Sequence, residues 1–167
     1  LYAMRKLYKD GKLGKIIYSE GEYYHYFPTP FPSYKDWRAG FPPQYYPTHS
    51  NAYYCGVTDG SFKEVSCMGV PSIIPHLMAE NNIYKNPFGT GIALLRTSEG
   101  GTSRMAVSWD TPGDEGVKGR IRGEKGSYYG TFQGLEKVEI PLKPPLPPTV
   151  SAGSHGGSHG YLTDEFI

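Results

Sequence analysis

A chain of 167 residues with 38% hydrophobic content has the length of one domain with one modest core, and its formal net charge of +1 gives no electrostatic reason to expect nucleic acid or an anionic membrane. No apolar run nears the roughly 18 residues of a membrane span, and no signal-peptide pattern opens the chain. Cys55 and Cys67 are too few for a disulfide scaffold and are expected to be buried thiols, while 15 tyrosines suit a site that holds sugars or polyols, because the phenol joins stacking area to a polar tip. Tyrosine is equally a good strand former, so composition alone leaves the ligand open. The chain opens at Leu1 without an initiator methionine, which sets the expectation of a piece of a longer protein and leaves the compartment unknown.

Leu1, Met4, Leu7 and Tyr8 recur at helical spacing, with Lys9 in the last turn and Gly11 placed to end a short helix. Residues 15–26 then read as a long strand with Ile17, Ser19, Gly21, Tyr23 and His25 on one face. Two proton-handling side chains at i and i+2 lie about 7 Å apart and can address one bound molecule, although such a pair also occurs simply facing solvent or a neighbouring strand. Between Phe27 and Pro47 six prolines exclude a regular element, and the aromatic content together with Asp36-Trp37-Arg38 argues for a folded lid rather than disorder. Trp37 is suited to stack on a sugar ring or to pin the loop to the body, and Arg38 to hydrogen-bond hydroxyls or a phosphate.

The next stretch, Gln44-Tyr45-Tyr46-Pro47-Thr48-His49-Ser50-Asn51, crowds phenols, imidazole, hydroxyls and amides into eight residues. Pro47 forces Tyr46 out of helical geometry just before a helix can start, and Thr48 or Ser50 is placed to cap a helix carrying Asn51 to Val57. His49 would then sit in the first turn, where the helix dipole lowers an imidazole's pKa and leaves a usable neutral base.

Strands are expected at 62–70, 91–98, 103–110, 116–123, 127–132 and 135–140, joined by glycine-rich turns of hairpin type and therefore antiparallel. Residues 71–87 look irregular but carry Ile73, Ile74, Leu77 and Met78, which need burial. Ile92, Leu94, Met105, Val107 and Trp109 are candidates for one unusually apolar sheet face. Helices cover one side of the sheet in this reading, and a second subunit is expected on the other. Pro141 to Pro148 is an extended polyproline strap leading to Ser154-His155-Gly156-Gly157-Ser158-His159-Gly160 and a final helix. His155 and His159 are four apart, but the glycines between them argue against a helical ligand pair, and no metal is expected. His76, next to Pro75, is expected to be structural.

Gly11-Lys12-Leu13-Gly14-Lys15-Ile16, Glu20-Gly21-Glu22-Tyr23-Tyr24-His25, Tyr46-Pro47-Thr48-His49, the strand-turn from Gly119 to Ser127 and His155-Gly156-Gly157 together resemble the carboxy-terminal domain of the glucose-fructose oxidoreductase and inositol dehydrogenase (Gfo/Idh/MocA) family. The resemblance spans nearly the whole chain, and in its motifs it is most similar to the NAD-dependent family-109 glycoside hydrolases. Tyr26 stands where that branch usually has Asp, and Ser50 where it usually has Gly. The resemblance implies an α+β fold with an open, predominantly antiparallel sheet, helices on one face, and residues 1–167 as a single substrate-binding and oligomerisation domain. It implies a sugar or polyol substrate and a homo-oligomer formed through the sheet face. NAD(P) would be held by an amino-terminal Rossmann domain, since this chain has no GxGxxG after a strand and should hold no dinucleotide alone.

By the same resemblance Tyr23, His25 and His49 are the catalytic candidates and Tyr46 holds the sugar; Trp37 and Arg38, from the reading of the loop, and His155, beside two glycines that allow close backbone approach, are the other substrate-binding candidates. The alternative is a noncatalytic carbohydrate-binding or subunit-assembly module.

Overall fold

The structure is a computed structural model that describes residues 1–30, 37–153 and 157–166, the last four by backbone alone. Helix α1 (Tyr2–Lys9) buries Met4 and Leu7 and stops where Gly11 takes a left-handed φ of 70°. The strands follow as β1 (Ile16–Tyr24), β2 (Phe62–Pro71), β3 (Phe88–Thr97), β4 (Thr102–Ser108), β5 (Gly116–Gly123), β6 (Gly126–Tyr129) and β7 (Thr131–Gly134). Short helices α2 (Thr48–Asn51) and α3 (Cys55–Thr58) lie between β1 and β2, and α4 (Ser158–Phe166) ends the described chain. No described helix is long and apolar enough to cross a membrane.

The seven strands form one sheet in the order β2-β3-β4-β1-β5-β6-β7, and every neighbouring pair is antiparallel except β1 with β4. This is the expected α+β arrangement, with one topological correction. The turn at Thr111-Pro112-Gly113-Asp114 is not a hairpin, because β1 is inserted between β4 and β5. Its loop crosses two strand spacings of about 4.8 Å each, a reach that a few extended residues supply. A second correction concerns 127–140, where two strands were expected. Gly130, at a φ of 69°, turns the chain after Tyr129 and pairs it with Thr131, so β6 and β7 form a tight hairpin. Residues 135–140 are consequently not a strand.

Register decides which side chains share a face. Ala93 pairs with Met105 and Leu94 with Arg104, so Ile92 and Leu94 project opposite to Met105 and Val107. The five expected apolar residues therefore do not line one surface: Met105, Val107 and Trp109 are buried on the helix side, while Leu94 is 53% exposed on the open side. An irregularity between Ile16 and Tyr18 likewise buries Ile16 and turns Ile17 outward, against its expected alignment with Ser19. Two clusters fill the helix side. Met4, Leu7, Leu13, Ile16, Tyr54, Val57 and Ile121 pack under α1 and α3, and Ile74, Leu77, Ala93, Leu95, Met105, Val107 and Trp109 pack under the irregular segments. Ile73, expected to be buried, is exposed, because Ser72 and Ile74 take the inward positions around it.

A glycine pair joins the two halves of this face. Gly21 of β1 lies opposite Gly119 of β5, and a Cβ on Gly21 would fall inside the carbonyl of Ser50 and the ring of Tyr53. The missing side chains form a trough in which the backbone of α2 rests directly on β1. The helix expected over 51–57 is broken into α2 and α3 by a turn at 52–54, with neither Thr48 nor Ser50 capping it through its side chain. Tyr53 falls in that turn, with its ring over Gly21 and Gly119.

The strap and the last helix support one another: the Tyr161 hydroxyl donates to the Pro144 carbonyl at 2.7 Å, and the Lys143 ammonium sits 3.0 Å from the Tyr161 ring centroid. On the opposite, open face Glu20 lies between Arg104 and Arg120, its direct cross-strand partners, with ion-pair distances of 3.4 and 2.6 Å. Arg104 also reaches Glu22 at 3.1 Å, and the Tyr18 hydroxyl donates to Glu20 at 2.5 Å.

Gly21→Ala should push α2 off β1 and lower stability by about 1–3 kcal/mol, the usual cost of overpacking, measured by chemical denaturation. Burial works against the charged form of Glu20, but hydrogen bonds from Tyr18 and Arg120 and the charges of Arg104 and Arg120 outweigh it and hold the carboxyl below its ordinary range. Its contribution is therefore complete above the unfolded carboxylate pKa and lost as pH falls through the depressed folded value. Glu20→Gln should cost about 1 kcal/mol at neutral pH and flatten the acid limb of the stability profile.

Candidate functional site

The parallel pairing of β1 with β4 continues past both strands, His25 donating its backbone N–H to Ser108 at 2.9 Å and Phe27 to Trp109 at 2.8 Å. Tyr23 and His25 therefore stay on the helix side of the sheet end, and the Tyr23 hydroxyl lies 3.2 Å from His25 Nδ1. The other part of the site comes from the proline turn and α2. Because α2 rests on Gly21, His49 in its first turn is set over Tyr23, with ring centroids 4.6 Å apart and planes 20° apart. Tyr46, just before Pro47, stacks on the same imidazole at 4.9 Å and lies 5.5 Å from Tyr23. Trp109 meets both phenols edge-on at 5.8 and 5.7 Å and donates its indole N–H to the Phe41 carbonyl at 2.7 Å.

The candidates Tyr23, His25, Tyr46 and His49 thus occupy one cluster. Arg38 joins it, its guanidinium 5.8 Å from the Tyr46 ring centroid and 5.3 Å from that of Trp37. Trp37 is not in the cluster: it is 47% exposed and meets Phe41 edge-on at 6.0 Å, at the rim of the loop. His155 lies outside the described residues. Tyr23, Phe27, Arg38, Phe41, Tyr46 and Trp109 enclose a pocket of only about 10 Å³, barely the room for a water. The rings fill their own space, so the cluster forms one wall against which a sugar could lie rather than a cavity around it.

Burial pushes the Tyr23 phenol above its ordinary pKa; the adjacent Tyr46 and the carboxylate of Glu115 add to the rise, and Arg38 opposes it. Tyr23 is thus kept protonated at neutral pH, able to donate to an imidazole nitrogen or a sugar oxygen. Glu115 accepts the backbone N–H of Tyr26 at 3.0 Å at the mouth of the site. Phe27, Phe41 and Glu115 were not singled out from the sequence, and Trp109 was read only as part of an apolar sheet face, not of the site. Alternation along β4 puts residue 109 on the same side as Met105 and Val107, a signal for Trp109; the other three depend on contacts remote in sequence.

His76 lies in the turn Pro75–Leu77, where burial lowers its pKa. Cys67 is exposed rather than buried: its pairing with Ala93 puts it on the helix side, but β2 is an edge strand left exposed on both faces, and Cys55 is half-buried, its thiol pKa raised by burial. Both cysteines are free. Among the described residues no group of three or more histidines, cysteines or acids is arranged to hold a metal ion.

The family model of the GFO/IDH/MocA C-terminal domain matches residues 1–129. The chain belongs to that family. No curated protein sequence matches it. Among solved structures it is similar to the WlbA dehydrogenase from Bordetella pertussis in complex with NADH and UDP-GlcNAcA, at 18% identity and a TM-score of 0.61, covering 82% of this chain and 41% of that one. It is similar also to a levoglucosan dehydrogenase in complex with NADH and levoglucosan, at 18% identity and a TM-score of 0.55, covering 75% and 35%. The scyllo-inositol dehydrogenase from Lactobacillus casei matches at 14% identity and a TM-score of 0.51, covering 77% and 37%. At these identities the likeness is one of fold, and the chain spans roughly two fifths or less of the length of these proteins.

His49→Ala should remove both ring stacks and lower stability by about 2 kcal/mol, whereas His49→Phe should retain most of it, compared by thermal and urea denaturation.

Proposed function

We propose that this family domain is the substrate wall and assembly half of an NAD(P)-dependent oxidoreductase acting on a sugar or polyol. The observation that carries the reading is the mutual packing of His49, Tyr23 and Tyr46, whose ring centroids lie 4.6, 4.9 and 5.5 Å apart, with the Tyr23–His25 pair at the same sheet end. Proton-handling and sugar-stacking groups share one surface, as oxidation of a secondary alcohol requires. Among the described residues no glycine-rich loop opens a helix after a parallel strand, so we assign the dinucleotide to the rest of the protein. A nicotinamide held by the rest of the protein would accept the hydride. His49 would take the proton of the hydroxyl being oxidised, Tyr46 and Arg38 would hold the ring and its oxygens, and Tyr23 would hydrogen-bond the reacting oxygen.

Aromatic faces stack on the apolar side of a sugar ring at low entropic cost, which favours a carbohydrate or cyclic polyol over a linear substrate. The finer reading, motivated by the Tyr23–His25 contact, is a glycosidase working by transient oxidation. Oxidation of one ring carbon makes the neighbouring C–H acidic; the Tyr23–His25 pair would remove that proton as the leaving group departs, and water addition and reduction would then restore the sugar. A noncatalytic carbohydrate-binding or assembly role is the alternative, and it requires no proton transfer at His49. We also propose that a second copy covers the open face, where Leu94 and Met68 are exposed beside the Glu20–Arg104–Arg120 network.

In the full-length protein with NAD, His49→Phe should lower kcat by about 100-fold or more with a smaller change in KM. Unchanged kcat would favour the assembly role. Incubation with NAD and chromogenic glycosides, then with free sugars, separates the two catalytic readings: aglycone release without net NADH supports the glycosidase, and NADH formation from a free sugar or polyol supports the dehydrogenase.

A further inference from the structure

The site wall takes Arg38, Phe41 and Tyr46 from residues 37–46 of the excursion, where regular structure is limited to short 3-10 turns, so something else must fix where those side chains lie. Three backbone carbonyls of the excursion accept hydrogen bonds from side chains outside it. The Tyr84 hydroxyl donates to Trp37 at 2.6 Å, Asn86 Nδ2 to Gly40 at 3.3 Å and Trp109 Nε1 to Phe41 at 2.7 Å. Two of these three donors belong to residues 82–86, a stretch in which the sequence showed only an irregular segment.

That stretch is itself locked. Asn82 and Asn86 are 4% and 8% exposed. Asn82 Nδ2 donates to the carbonyls of Met78 at 2.7 Å and Asn86 at 2.8 Å, and its Oδ1 accepts the Asn86 N–H at 3.2 Å. Asn86 in turn bonds both the N–H and the carbonyl of Phe88, at 3.2 and 2.8 Å, which anchors the knot to the first residue of β3. Gly40 has a φ of 66°, and a Cβ there would enter the Asn82 side chain, so the excursion presses its backbone against the knot. The Tyr84 ring closes the contact, edge-on to Phe41 at 5.8 Å and to Tyr45 at 6.4 Å.

We propose that residues 82–86 form a brace for the substrate wall, with Tyr84 and Asn86 as positioning residues that act through Trp37 and Gly40 on Arg38, Phe41 and Tyr46. The brace ties the wall to β3, so the sheet rather than the loop sets the distance between Arg38 and the Tyr23–His49 stack. The proposal rests on the reading that this wall holds the sugar or polyol. A loop merely packed for stability would use the same groups, so the test separates position from stability.

Tyr84→Phe in the full-length protein keeps the ring and deletes one donor. Hydrogen exchange in residues 37–46 should quicken about fivefold, the scale of one neutral hydrogen bond, with β1 and β4 unchanged and Tm shifted little. With NAD and either myo-inositol or levoglucosan as probe, KM should rise by a similar factor while kcat stays within about twofold. Asn86→Asp keeps the acceptor for the Phe88 N–H but loses the donors to both the Gly40 and the Phe88 carbonyls, so it should quicken exchange in the same direction with a larger fall in Tm. Unchanged exchange in 37–46 would overturn the brace, and quickened exchange with unchanged KM would overturn its bearing on substrate. Absence of turnover with both probes in the unmutated protein would count against the assignment of substrate class, and the exchange comparison would still decide the brace.

Discussion

The whole site depends on a backbone-to-backbone contact that two absent side chains permit. Gly21 and Gly119 lie opposite one another across β1 and β5, and only there can the chain of α2 descend onto the sheet. That descent sets His49 against Tyr23 at 4.6 Å instead of a helix diameter above the sheet. The rest of the wall follows in sequence: Pro47 fixes the entry to α2, Tyr46 packs beside both the imidazole and Tyr23, and Trp109 meets both phenols edge-on. Broken geometry in α2 and α3 is the corollary, since a straight helix over 51–57 could not both rest on Gly21 and lay Tyr53 across the glycine pair.

The sheet separates two tasks by the period-two alternation of its strands. On the helix side the odd-numbered residues of β1 lead from Ser19 through Gly21 to Tyr23, a buried hydroxyl, a seat and the phenol of the ring cluster. On the open side Glu20 and Glu22 meet Arg104 and Arg120 in a cross-strand network whose strength lies in mutual pairing rather than in any single bridge. A one-residue slip of β1 would exchange the two faces, so packing of the glycine seat and pairing of the charges enforce the same register.

Strands β2 to β5 were legible in the sequence because apolar alternation between glycine turns is a local signal. The place of β1 between β4 and β5 was not, since a parallel pair joined through long intervening chain leaves no local mark. Gly130 misled for the opposite reason: a run of good strand formers conceals a turn that one left-handed residue makes possible. In the site, Tyr23, His25, Tyr46 and His49 were visible because they sit in short motifs at the ends of predicted elements. Glu115 was invisible because its partner, the Tyr26 N–H, is remote in the chain, and the Asn82–Asn86 knot because its bonds, local except for that to Gly40, leave no periodic mark. Trp37 was legible as an aromatic able to stack on a sugar or to pin the loop, but not as a rim residue, because its distance from the ring cluster is not set by spacing along the chain.

The account stands on one spatial claim, that the His49–Tyr23 wall faces bound sugar or polyol in the complete protein. The direct measurement is a crystal structure of the full-length chain with dinucleotide and a sugar or polyol. The account predicts ligand oxygens within hydrogen-bonding distance of Tyr23, His25 or His49, and a ring face against Tyr46. A ligand bound elsewhere, or a wall sealed by packing against the remainder of the protein, would contradict it.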